Sequence, residues 1–199
     1  TGPPIDIDEI AEGYLGLTLE VDDLKARLGM PDVLGATWFE EGRICIDRSL
    51  EDKEGRFAFT MAHEIGHWQL HRPVFEMEKV TLPLFPSPGG RRATPAMVCR
   101  ATEGKAPVEW QADQFAARLL MPSAAMRSAA RDAFGDDVAL IEGLDASRNT
   151  GVLPQHLRSL ADKVIAGGRF TNASNEAMCY RLLDLKLVVD ADENRARLI

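Results

Sequence analysis

The segment RFAFTMAHEIGHWQLH, residues 56–71, constrains the fold of this chain more than any other. At about 100° per residue, Phe57, Met61, Ala62, Ile65 and Trp68 gather on one side of a helix, while His63, Glu64 and His67 fall on the other. A helix is therefore predicted from about Arg56 to His71, stopped by Pro73. A helix that buries one stripe and presents three ionisable groups elsewhere is arranged for a cleft, and the rest of the fold must supply partners for those groups.

Around this segment the residues predict an α+β fold. Ile5 to Leu28 reads as helix, a short extended piece (LTLEV), then helix ending near Gly29. ATWFEE and RICIDR carry aromatic and β-branched residues with Gly42 between them, so a β-hairpin is expected from about Ala36 to Asp47. Val80 to Pro107 holds many prolines and a Pro88-Gly89-Gly90 turn and reads as a long loop, with room for a short extended pair. A second helix is predicted from about Val108 to Met121, stopped by Pro122, and the remainder reads as helices punctuated by glycines. The expected architecture is a small antiparallel sheet packed against the 56–71 helix in a domain of residues 1–130. A mostly helical C-terminal region, 131–199, follows.

With 199 residues, 45% of them hydrophobic, the chain is long enough to build a core without disulfide staples. Cys45, Cys99 and Cys179 are odd in number and form no C-x-x-C pair, which predicts a reducing, cytoplasmic setting. The opening TGPPIDIDEI lacks the features of a signal peptide, and no run is apolar enough for a membrane span. A net charge of −8 disfavours binding to phosphate backbones, so DNA is not an expected partner; the densest basic patch is Arg91–Arg92.

Two imidazoles four residues apart on a helix can hold one zinc ion, with the intervening Glu64 in reach of a water there. The competing reading makes His63 and His67 ordinary hydrogen-bonded residues. A catalytic zinc site needs a third protein ligand and one open position. His71 lies about 12 Å along the axis from His63, too far to share an ion, and reads as a C-terminal residue favoured by the helix dipole. Glu109 is the better candidate. In VEWQADQFAARLLMP it and Asp113 stand one turn apart at the margin of an apolar stripe of Ala112, Phe115, Ala116, Leu119 and Leu120. Carboxylates held there need partners, which zinc would supply to Glu109 and a ligand imidazole N–H to Asp113; the alternative is that both are solvated.

RFAFTMAHEIGH (56–67) together with EWQADQFAARLLMP (109–122) resembles the ImmA/IrrE family of metallopeptidases. The resemblance implies that His63, His67 and Glu109 hold zinc and that Glu64 is the general base; the E-x-x-x-D spacing also resembles that of thermolysin-like gluzincins, which implies that Asp113 orients His63. The ImmA/IrrE resemblance also implies peptide-bond hydrolysis in a protein substrate, a helix-turn-helix transcriptional repressor, as a regulatory switch. SNEAMCYRLLDLKLV (174–188) resembles the helix-turn-helix-like tail of many members, although it ends LKLV where glycine is common. The loop between His67 and Glu109 is longer than usual in the family. Tyr14, Tyr180 and His156 remain as candidate oxyanion donors, and Cys99 as a candidate cap on the zinc. The alternative to an enzyme is a zinc-stabilised, non-catalytic module that binds a repressor or DNA; hydrolysis of a non-peptide bond is a third reading.

Overall fold

The computed structural model describes residues 2–81, 97–100, 107–135, 138–144 and 152–191. They form a mixed α+β structure that divides into two compact units, Asp6–Ala116 and Ala117–Ile199 with Thr1–Ile5.

The Asp6–Ala116 unit opens with a π-helical stretch, Glu9–Tyr14. There follow β1 (Thr18–Asp22), α1 (Leu24–Leu28), β2 (Val33–Trp38), β3 (Arg43–Asp47), α2 (Glu54–Leu70), α3 (Arg72–Thr81), β4 (Met97–Arg100) and α4 (Pro107–Leu120). The unit boundary falls inside α4. The strands pair in the order β1-β3-β2-β4. β2 and β3 make the expected hairpin, and Gly42 in its turn has φ +61°, a left-handed conformation that favours glycine. The sheet is mixed, however, and the wholly antiparallel sheet expected from sequence is corrected here. β1 runs parallel to β3, and parallel neighbours need a crossover, which α1 and β2 supply. Within the predicted 80–107 loop, Met97–Arg100 is a strand antiparallel to β2; Arg91 and Arg92 lie outside the described residues. α2 ends before Pro73, which takes a place in the first turn of α3, where its missing N–H costs nothing.

Strand alternation gives β2 two occupations. Ala36 and Trp38 face a core cluster with Leu24, Val33 and Cys45, and the Arg43 guanidinium stacks 3.9 Å from the Trp38 ring. Gly35 and Thr37 face the other way, and both meet the Glu64 side chain. The expected picture of α2 with one buried stripe is corrected too. Every residue from Thr60 to His67 is buried, because sheet residues approach on one side and α4 on another.

The second unit contains α5 (Ser123–Phe134), β5 (Ala139–Ile141), α6 (Gln155–Gly168), α7 (Asn175–Asp184) and β6 (Val188–Asp190). Beyond the expected helices, β5 and β6 form a parallel pair. Ser174 caps α7, its hydroxyl oxygen accepting from the Ala177 N–H at 3.2 Å. The core includes Met126, Leu157, Phe170, Met178 and Leu182, and the buried Arg181 donates from Nε to the Met121 carbonyl at 3.1 Å. Among the described residues, no helix is long and apolar enough to cross a membrane.

Candidate metal centre

α2 and α4 approach each other at Gly66, the fourth residue of HEIGH. A Cβ there would lie 3.2 Å from the Ala112 Cα and from Phe115 side-chain atoms, so the missing side chain permits the close approach. Three donors converge as a result. His63 Nε2 and His67 Nε2 are 2.9 Å apart, and the Glu109 carboxylate lies 3.2 Å from the first and 3.4 Å from the second. Ligands at zinc bond lengths of about 2.0–2.2 Å in a tetrahedron stand about 3.3 Å from one another. The triangle is already of the size a zinc ion requires.

The far sides of the two rings decide which nitrogens carry lone pairs. His63 Nδ1 lies 3.0 Å from Asp113 Oδ1, a carboxylate oxygen that only accepts, so Nδ1 carries a proton and Nε2 is the nitrogen that offers a lone pair when the ring is neutral. For His67 the chain is longer. The Gln111 carbonyl oxygen accepts from His71 Nε2–H at 3.0 Å, which makes His71 Nδ1 the acceptor. His67 Nδ1–H donates to it at 2.8 Å, and His67 Nε2 is left with its lone pair facing His63 Nε2. The point between them suits a positive charge, the second proton of an imidazolium His63 or a metal ion in its place.

His71 stands at the C-terminal end of α2, as expected, but not as a cation held there by the helix dipole. It is buried, and burial lowers its pKa and keeps it neutral, the form this chain of hydrogen bonds requires. The one-turn rise that keeps it from the ion places it behind His67. Replacing His71 by Leu is expected to lower zinc affinity about 10- to 100-fold with the fold intact. Competition against a chromogenic chelator measures this, and an unchanged affinity would remove His71 from the site.

Glu64 is fully buried beside the triad. Its Oε2 accepts from the Thr37 hydroxyl at 2.5 Å, and its Oε1 has no hydrogen-bond partner among the described residues. Gly35 makes room for it: a Cβ there would stand 2.7 Å from Oε1 and 2.8 Å from Thr60 Cγ2. Burial raises the Glu64 pKa, only partly countered by His63 and His67.

The ion-free cluster gathers positive charge. Burial disfavours the His63 imidazolium, but hydrogen bonds with Asp113, Cys99 and Glu109 outweigh it and raise its pKa from 6.5 to about 12. Burial likewise raises Glu109, but hydrogen bonds with both histidines prevail and pull it from 4.5 to about 2. The stabilisation from His63 is complete below 6.5 and fades as pH rises towards 12; that from Glu109 is complete above 4.5 and fades towards 2. A divalent ion must displace the His63 proton, so metal binding strengthens with pH. The rise in Tm on adding zinc is accordingly expected to be larger at about pH 8 than at about pH 6, with protons released on binding. Calorimetry in buffers of different ionisation enthalpy checks both.

The structure thus brings His63, His67 and Glu109 together, sets Asp113 behind His63 and puts Glu64 beside them. Sequence reasoning missed Thr37, Gly35, Gly66, Gln111 and the role of His71. No local signal marks Gln111, because on a helix the residue two after Glu109 points about 200° away from it. Of the candidate oxyanion donors, Tyr14 is 85% and Tyr180 54% exposed, and His156 is exposed. Comparison with family models, curated proteins and solved structures finds no match to this chain.

Proposed function

We propose that this chain is a zinc-dependent endopeptidase, with His63, His67 and Glu109 holding the ion and Glu64 as general base. The observation that carries the reading is the Glu64 carboxylate: fully buried, anchored by one oxygen and, among the described residues, unpartnered at the other, beside three donors spaced for one ion. A purely structural site has no use for such a group.

In this reading the sheet is the floor against which the HExxH helix is held. β2 carries Thr37, which orients the base, and Gly35, which leaves it space. A zinc ion bound here supplies Lewis acidity and lowers the pKa of water towards about 7. Glu64 takes the proton of the water that attacks the scissile carbonyl and returns it to the leaving amine. Asp113 and the His71–Gln111 pair hold the two imidazoles in the tautomers that direct Nε2 inward. Resemblance to ImmA/IrrE peptidases supplies the substrate class, a helix-turn-helix repressor cut in the cytoplasm as a regulatory switch. The segment resembling the family tail, 174–188, spans α7 with its cap and ends on the first residue of β6.

The second reading, a zinc-stabilised module that binds a repressor or DNA without cutting it, draws on Cys99, a further metal-binding side chain whose Sγ lies within 4.8 Å of a His63 ring nitrogen. Co-expression with the product of an adjacent repressor gene, with and without chelator, separates the two. Cleavage that chelator abolishes and zinc restores is expected. Fully zinc-loaded protein that cuts neither the repressor nor a proteome-derived peptide library would exclude the peptidase.

A milder change tests the base's placement. Gly35→Ala pushes the Glu64 carboxylate aside while leaving the triad untouched. Bound zinc should be unchanged and kcat at least about tenfold lower, within the range that general bases contribute. Equal turnover would show that Glu64 need not stand where it does.

A further inference from the structure

α3 shows solvent the side of a helix that is ordinarily buried. Its inward anchor is Phe75, whose ring lies 5.4 Å from that of Phe39. Val74 and Met77 are exposed, and at about 100° per residue they stand about 100° and 160° round the helix from Phe75. The Phe75 N–H donates to the His71 carbonyl at 3.0 Å, which carries the helical ladder from α2 into α3. Leu70, also exposed, therefore falls one turn before Val74 on the same stripe. A helix in a protein that works alone turns such a stripe to its core; turned outward, it marks a surface that a partner covers.

The stripe lies beside the approach to the metal centre. The His63 and His67 side chains are 3% and 0% exposed and that of Glu109 is 21%, so solvent reaches the three donors past Glu109. The His71–Gln111 hydrogen bond ties the end of α2, where Leu70 stands, to the N-terminal half of α4. There Trp110, between Glu109 and Gln111, is a fourth exposed apolar side chain. Charge decides what fits this surface. Asp6–Ala116 holds 20 acidic and 12 basic residues, whereas 117–199 holds 11 of each, so the unit with the metal centre carries the whole net charge of −8. A second copy of the chain brings the same excess, and nucleic acid or an anionic bilayer is repelled by it. A basic segment with one apolar face is drawn in by the field and covers the stripe.

We propose that Leu70, Val74, Met77 and Trp110 dock a basic, amphipathic segment of the protein whose chain the centre then cuts. The inference rests on the peptidase reading above and adds how the substrate is chosen: affinity comes from a stretch outside the scissile bond. Fluorescence anisotropy on the full zinc-loaded chain reads the docking. The probe is a labelled helical peptide of leucine and lysine with its leucines on one face, and its counterpart replaces each lysine by glutamate. The lysine peptide is expected to bind at least about tenfold tighter, with an affinity that falls as salt rises. Val74→Lys should weaken it at least about tenfold. Tyr14→Lys, which adds the same charge at an exposed residue of the same unit outside the stripe, should weaken it less than about threefold. Met77→Lys repeats the test should Val74→Lys lower Tm. Equal affinity for the two peptides, or equal losses in the stripe variant and Tyr14→Lys, would overturn the inference and leave the peptidase reading standing. Zinc-loaded wild type that binds the lysine peptide at the stripe but cuts neither the repressor nor the peptide library would overturn the peptidase reading and leave the docking surface.

Discussion

Glu64→Gln is expected to abolish measurable cutting, a loss of about 10²–10⁴-fold, while the protein keeps its full zinc content. The substitution preserves size and leaves a carbonyl oxygen to accept from Thr37, so the geometry on the β2 side survives. What disappears is the capacity to take a proton. Because burial raises the pKa of Glu64, the ion-free protein bears the cost of an ionisable group in a dry place, and a neutral amide relieves it. Metal-free Glu64→Gln should therefore melt no lower than the wild type. Retained zinc with lost turnover identifies a base; lost zinc with lost turnover would make Glu64 a ligand; retained turnover would end the proposed mechanism. Metal analysis and a cleavage assay on one preparation distinguish the three.

Glu109→Ala should have the opposite signature, with metal and activity lost together. Glu109 spans the two imidazoles, 3.2 Å from one and 3.4 Å from the other. Its side chain is 21% exposed, so truncation does not open the core. Zinc affinity should fall by more than about 100-fold, beyond the 10- to 100-fold typical of outer partners. Asp113→Asn, which only weakens the acceptor behind His63, should stay within that range. Chelator competition on both variants gives the order. If Asp113→Asn costs more than Glu109→Ala, the assignment of the third ligand is wrong.

Much of this centre is legible in the residues, because helical spacing is. His63 and His67 are one turn apart, as are Glu109 and Asp113, and a period of 3.6 residues places each pair on one face of its helix. The hairpin is legible from β-branched runs about Gly42. Contacts between elements distant in sequence are not. Thr37 reaches Glu64 across 27 positions, and nothing local marks that threonine from others in strands. Gly66 reads as a helix weakener until α4 lies against it. His71 is too far along the axis to bind the ion, and the same displacement suits it to hold His67, which no spacing rule requires. The parallel pairing of β1 with β3 depends on chain path, which alternation of side chains does not encode.

The irregularity in β2–β4 pairing between Val33 and Gly35 bears on how this protein can fail. Beyond it, odd-numbered β2 residues serve Glu64 and even-numbered ones the hydrophobic cluster. Deleting or inserting one residue at that irregularity would turn Ala36 and Trp38 towards the base and send the threonine hydroxyl into oil. Such a chain would retain every helix and strand, and its circular dichroism would pass inspection. It would be a well-formed protein with its working surface inside out.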